Sequence, residues 1–321
     1  MASDLVGSLP VVDLRSCAAS SSDERETVLG TVASSLEEFG FLVVDGHGLD
    51  RALISRVFSL TKVLFELSAP TKTACCVPES LGNRGYVGLG GETALGAKVS
   101  DLKEFWHVGQ ESVPADEGAA YLPNIWPSTE ALPNVSEDLL ALYTCFEAVA
   151  ERVLSVIEDA LRLPPQHLSS MIVRGNSVLR LIHYPPLPPS VPSGAVRAAA
   201  HEDINLITLL VEGSSGGLEL QRRDGSWMPV ASLAGQIIVN VGDMLERVTN
   251  GRLRSTTHRV VNPVDARAPR YSIPFFVHPR PSVLLDPMVA TNDERRFEPI
   301  TADAFLTERL TAIRSQETPS P

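Results

Sequence analysis

The sequence predicts an α+β fold in which helices surround a barrel or sandwich of short strands. Two observations predict it. In the first half, apolar residues recur at helical spacing, most clearly at Leu139, Leu142, Phe146, Val149, Val153, Ile157 and Leu161, which step by three or four. From Ser177 to Leu285 the pattern changes to short apolar runs punctuated by turn pairs, the spacing of a double-sheeted β structure. The organisation expected is one compact unit. It has a helical amino-terminal region with a loop facing the substrate (1–110), a linking segment with a long scaffold helix (111–176), a strand-rich core (177–285) and a C-terminal helix and tail (286–321).

In chain order, Leu9 to Leu14 reads as a strand interrupted by Pro10. Ser21 and Glu24 form a capping box that opens a helix to about Glu38. Phe41 to Val44, followed by Asp45-Gly46, reads as strand then turn, and Leu53 to Leu67 has helical spacing. Residues 78 to 98 contain six glycines and read as a mobile loop of functional length, in which Gly85 and Gly88 allow closure as a lid. The long helix stops at Pro164-Pro165. Pro185 to Pro192 reads as a rigid surface loop. The strand runs that follow are Val178 to His183, Ile204 to Val211, Leu218 to Gln221, Ile237 to Val241, His258 to Val261 and Tyr271 to Val277. Asp224-Gly225, Gly242-Asp243, Asn250-Gly251 and Asn262-Pro263 punctuate them. A last helix is expected from about Ala302 to Ile313.

Composition narrows the function. With 44% hydrophobic and 21% charged residues the chain is neither disordered nor fibrous. A formal charge of -12, with no local basic run, disfavours nucleic acid as a partner. Cys17, Cys75, Cys76 and Cys145 fit neither a zinc motif nor a disulfide framework, which points to a reducing compartment. No apolar run is long enough to span a bilayer, and the N-terminus lacks the basic and apolar blocks of a secretion signal. A cytoplasmic protein is expected.

The chemistry concentrates in the strand-rich half. Side chains two apart on a strand share a face, so His201 and Asp203 aim an imidazole and a carboxylate in one direction. His258, 55 residues past Asp203 on another short strand, is placed to close a triangle. Two histidines and one carboxylate on one side of a metal leave adjacent positions open, which suits non-haem Fe(II). Taken singly, such histidines are more often structural hydrogen-bonders. Arg270 and Ser272 share a face for the same period-two reason, and a guanidinium fork beside a hydroxyl is a carboxylate receptor. The competing reading of Arg270 is an ordinary ion pair. Asn240 and Asp243 read as turn and hydrogen-bonding residues, and His183 as structural.

The stretches His201-Glu202-Asp203-Ile204-Asn205-Leu206-Ile207-Thr208, Asn240-Val241-Gly242-Asp243-Met244, Thr249-Asn250-Gly251, His258-Arg259-Val260 and Arg270-Tyr271-Ser272-Ile273-Pro274-Phe275-Phe276 resemble the isopenicillin N synthase-like family of Fe(II)/2-oxoglutarate-dependent oxygenases. Leu9 to Asp13, Phe39 to Gly48 and Lys103-Glu104-Phe105-Trp106 are similar to its amino-terminal region, so the resemblance covers nearly the whole chain. It implies a double-stranded β-helix, or jelly roll, with Fe(II) held by His201, Asp203 and His258. It implies 2-oxoglutarate and dioxygen as cosubstrates, the distal carboxylate of 2-oxoglutarate meeting Arg270, Ser272 and Tyr184. Plant members carry asparagine two residues before that tyrosine. Ile182 stands here instead, so that contact is not carried over.

The implied reaction is oxidation, most simply hydroxylation, of a C–H bond in a small metabolite, with decarboxylation of 2-oxoglutarate to succinate. Arg84, Tyr86, Lys103 and Trp106 fall where relatives place substrate contacts. An anchoring Arg84 implies a carboxylate-bearing, amino-acid-derived substrate. Two alternatives stay open at this point: an iron oxidase of the same family that uses no 2-oxoglutarate, and a zinc hydrolase or non-catalytic cupin-like binder.

Overall fold

The computed structural model describes residues 9–315 apart from 20, 81, 95, 98, 114, 188–190, 192–193, 213–215, 232, 264–266 and 290–293. Half of the expected proline-rich surface loop, Pro185 to Pro192, lies outside the described residues. In chain order the elements are β1 (Val11–Asp13), α1 (Leu14–Ala19), α2 (Ser22–Phe39), β2 (Phe41–Asp45), α3 (Arg51–Glu66), α4 (Ala69–Thr73), β3 (Gly85–Val87), β4 (Glu104–Gly109) and α5 (Val135–Leu161). They continue with β5 (Val178–Tyr184), β6 (Ala198–His201), β7 (Ile207–Glu212), β8 (Leu218–Gln221), β9 (Trp227–Pro229) and β10 (Ile237–Val241). The last are α6 (Asp243–Val248), β11 (His258–Val260), β12 (Arg270–Val277), β13 (Leu284–Leu285), β14 (Ile300–Thr301) and α7 (Ala302–Ser315).

Two sheets face each other, as a jelly roll requires. The larger runs β1-β2-β10-β7-β12-β5-β4-β3 and the smaller β6-β11-β8-β9. The amino-terminal region, expected to be helical, contributes β1 to β4 to the large sheet, and part of the glycine-rich segment is strand β3 rather than loop. Both faces of the large sheet are covered, which is why a strand such as Ile237–Val241 is buried at all five positions.

Strand alternation sorts the large sheet into two cores. Leu42, Trp106, Leu181, Leu209, Val239, Ile273 and Phe275 face the helices. Phe41, Val43, Phe105, Ile182, Tyr184 and Ile238 face the small sheet, against Leu218, Leu220 and Met228. The helix-side core is held by α5, whose Phe146 stacks on Phe275 with ring centres 5.2 Å apart while Tyr143 meets the same ring edge-on at 5.0 Å. Truncating Phe275 to alanine would cost about 3–5 kcal/mol.

Local chemistry sets the helix boundaries. The Ser21 backbone N–H donates to Glu24 Oε2 at 3.2 Å at the start of α2. Gly40 ends α2 in the left-handed region at φ 66°, where a Cβ would come within 2.4 Å of Arg254 O. After α5, buried Glu158 accepts from the backbone N–H groups of Leu168 and Ser169, both at 2.6 Å, which folds the chain back after Pro164-Pro165.

Candidate active site

Between the sheets, His201 at the end of β6 lies directly opposite His258 at the start of β11. Their ring centres are 4.5 Å apart. Asp203 sits in the turn after β6, with Oδ1 3.9 Å from Nε2 of each histidine. Potential ligand atoms of the three residues all lie within 4.8 Å of one another. His201 and Asp203 therefore converge although Asp203 has already left the strand.

Each side chain is oriented through its other polar atom. His201 Nδ1 meets Ala199 O at 2.7 Å and His258 Nδ1 meets Thr256 O at 3.0 Å. A carbonyl can only accept, so both Nδ1 atoms carry a proton, and each ring is held with Nε2 turned toward Asp203. Asp203 Oδ2 accepts from Asn240 Nδ2 at 2.8 Å and from the Thr208 hydroxyl at 2.5 Å. Oδ1 is left facing the imidazoles. Burial alone would raise the Asp203 carboxyl, but the two histidines, Thr208 and Asn240 outweigh it and hold the group below its ordinary range. Phe41 packs edge-on against His258, ring centres 5.6 Å apart, and limits water on that side. The residues fit a divalent metal by the chemistry of this donor set: two imidazole nitrogens and one carboxylate oxygen converge, and each donor's second atom is occupied elsewhere.

A second group lies farther along the inner face of the large sheet. Arg270 opens β12 opposite Tyr184 on β5, and Ser272 lies between Ile182 on one side and Glu212 on the other. Arg270 is 3% exposed; its guanidinium sits 4.9 Å from the Tyr184 ring centre and donates to Ser272 Oγ at 3.3 Å. It also forms an ion pair with Glu212. The Glu212 carboxyl is raised by burial, and Arg270 offsets this only in part. Sequence reasoning missed Glu212 because the strand reading stopped at Val211. The available signal was period two, which places Thr208, Leu210 and Glu212 on one face.

A third group is ionic. Arg180, on the inner face of β5, pairs with Glu92 at 3.1 Å, donates from Nε to His107 Nε2 at 2.5 Å and stacks over Phe105, 4.2 Å from its ring centre. Lys103 bridges Glu92 at 2.6 Å and Asp101 at 2.7 Å. Asp101 in turn accepts from the Ala199 N–H, two residues before His201. Burial opposes charge on Lys103, yet Glu92 and Asp101 hold the ammonium protonated. Burial, reinforced by Arg180, keeps His107 neutral.

The four residues expected to contact substrate do not share one face. Tyr86 and Trp106 face each other across β3 and β4, but on the side turned to the helices. Trp106 is fully buried with Nε1 donating to Ile125 O at 3.2 Å, and Tyr86 donates to Glu104 Oε2 at 2.5 Å. The inward residues of the same strand are their neighbours Phe105 and His107, a one-residue offset that reverses the face. Arg84 is 2% exposed and donates to Leu122 O, Asn83 O and Asn176 Oδ1, so its guanidinium ties the chain to itself. Of the four, only Lys103 belongs to the inner ionic group.

Comparison with known proteins agrees with this geometry. The family model of the 2OG-Fe(II) oxygenase superfamily matches residues 175–279, and that of the non-haem dioxygenase in morphine synthesis N-terminal matches residues 9–129. The proline hydroxylase buaE of Petromyces alliaceus is 34% identical over 306 residues, covering 89% of this chain and 93% of that protein. The 2-oxoglutarate-Fe(II) type oxidoreductase ppzD of Metarhizium rileyi is 33% identical over 297 residues, covering 86% of this chain and 82% of that protein. Among solved structures, a 2OG-Fe(II) oxygenase family protein from Caulobacter crescentus has a TM-score of 0.85 and 38% identity, covering 96% of this chain and 100% of that one. A full-length Neurospora crassa protein solved with alpha-KG and thymine has a TM-score of 0.85 and 26% identity, covering 97% of this chain and 98% of that one. The chain belongs to the Fe(II)- and 2-oxoglutarate-dependent oxygenases and is a non-haem iron dioxygenase that uses 2-oxoglutarate.

Proposed function

We propose that His201, Asp203 and His258 hold the Fe(II), that Arg270, Ser272 and Tyr184 receive the distal carboxylate of 2-oxoglutarate, and that the chain hydroxylates a C–H bond of a small, amino-acid-derived metabolite. The observation that carries this reading is the convergence of two histidine Nε2 atoms and Asp203 Oδ1 between the sheets. When bound, the metal and 2-oxoglutarate supply the oxidising chemistry, with succinate and carbon dioxide as coproducts.

The protein's own residues set the geometry. Thr208 and Asn240 fix which Asp203 oxygen is offered. The Arg270 guanidinium orients the distal carboxylate, and Phe41 and Phe105 wall off water. The substrate meets the inner ionic group. There the charges of Arg180 and Lys103 balance those of Glu92 and Asp101, and His107 is neutral. A balanced set of donors and acceptors suits a substrate carrying both, such as an amino acid, and the proline hydroxylase relative supports that class.

The chain is read as cytoplasmic. No helix among the described residues is long and apolar enough to cross a membrane, and the four cysteines are free thiols.

The test is succinate release from 2-oxoglutarate by purified protein with Fe(II) and ascorbate, screened against free and peptide-bound amino acids. The reading expects a substrate-dependent rise in succinate matched by a product one oxygen heavier. Substrate turnover without 2-oxoglutarate consumption, or turnover supported by Zn(II), would contradict it.

A further inference from the structure

We propose that Glu212 is a third member of the cosubstrate's carboxylate site, holding a proton when 2-oxoglutarate is bound and donating a hydrogen bond to the distal carboxylate from Oε2. This rests on the assignment of Arg270 and Ser272 to that carboxylate.

The geometry makes Glu212 unavoidable there. It lies directly across from Ser272, shares the inner face with it and is paired to Arg270, the guanidinium the cosubstrate needs. Arg270 and Glu212 are 3% and 4% exposed at their side chains. Two polar atoms of this pair have no hydrogen-bond partner among the described residues: Arg270 Nε and Glu212 Oε2. One is a donor open to a carboxylate. The other, as an ionised oxygen, would repel it. Two carboxylates sharing one buried guanidinium cannot both stay charged without a large cost, so one takes a proton. That turns the repelling oxygen into the missing donor. The only bond made in this step is O–H on Glu212, and the proton comes from solvent.

The neighbouring groups leave Glu212 as the one to be protonated. Arg270 is the charged group acting on it from β12, and burial already outweighs that attraction. On β5, Tyr184 presents its ring to Arg270. Arg197, just before β6, lies 5.8 Å from the Tyr184 ring centre and donates to Ala268 O, and its electrostatic neighbour is Arg270 rather than Glu212. A surface cavity of about 520 Å³ reaches Glu212 from the helix side, with His47, Arg51, Lys62 and Tyr271 in its wall.

The test is calorimetric titration of 2-oxoglutarate into the Fe(II)-loaded protein without oxygen, in buffers of different ionisation enthalpy. The wild type is expected to take up close to one proton per cosubstrate near neutral pH. Its affinity should fall about tenfold for each pH unit above the carboxyl's free value. Glu212→Gln, whose amide donates without a proton, should bind with no uptake and with affinity independent of pH. Binding by the wild type with no proton uptake, or the same uptake in Glu212→Gln, would overturn the role of Glu212 alone. No binding heat at all would overturn the cosubstrate assignment, and the proposal with it.

Discussion

Thr208 and Asn240 face each other across β7 and β10 and donate to the same oxygen of Asp203. Asn205 adds a hydrogen bond to the Thr208 hydroxyl at 2.9 Å, so the threonine proton has one direction to go. The aspartate oxygen left facing the two imidazoles is thus selected by a cross-strand pair in the large sheet, although both histidines come from the small one.

Removing that selection should loosen the metal. Asn240→Ala should weaken Fe(II) affinity by about 10- to 100-fold while leaving the fold intact, because an orienting partner is lost and no ligand is. Anaerobic metal titration checks this. Thr208→Ser, which keeps the hydroxyl, should lie close to wild type.

Arg270 carries two separable roles. Arg270→Met should abolish 2-oxoglutarate binding and destabilise the fold by roughly 3 kcal/mol, since Glu212 is left buried without its partner. Adding Glu212→Leu should recover most of the stability but none of the binding. Urea unfolding and cosubstrate titration on the two variants read these effects independently.

Arg84 and Lys103 separate internal anchoring from substrate contact. Arg84→Ala should lower the melting temperature by several degrees, about 2 kcal/mol of lost buried hydrogen bonds, with KM unchanged. Lys103→Met should affect both, because it unpairs Glu92 and Asp101 inside the proposed substrate chamber.

His278 sets an acid limit on stability. Burial lowers its pKa to about 4 from the ordinary 6.5. As pH falls below 6.5 the unfolded chain takes up this proton and the folded one does not. The stability associated with the neutral ring is therefore complete above 6.5 and lost progressively down to about 4, at most about 3 kcal/mol. In unfolding measured against pH, His278→Gln should flatten that limb.

Much of this was legible in the sequence because it is local. The capping box at Ser21 and Glu24 and the proline stop after Leu161 are contained in a few residues, and α2 and α5 stand where they were expected. The cluster of His201, Asp203 and His258 was legible because His201 and Asp203 are two apart in sequence and His258 stands on a later strand run, a pattern that the family resemblance reinforced. What was missed depends on distant partners or on strand phase. Glu92 and Arg180 are 88 residues apart, and nothing near either one announces the other. Trp106 and His107 are adjacent, so which of them looks inward follows from how β4 pairs with β5, a property of the sheet. Arg84 looked like a free cation because two of its three acceptors, Leu122 O and Asn176 Oδ1, lie 38 and 92 residues on.

The central claim is that His201, Asp203 and His258 together hold one iron. Its most direct measurement is iron content after anaerobic loading and desalting. The account predicts one Fe(II) per wild-type chain and essentially none for His258→Ala or Asp203→Ala, with folding confirmed by circular dichroism. A full equivalent of iron retained by either folded variant would contradict it.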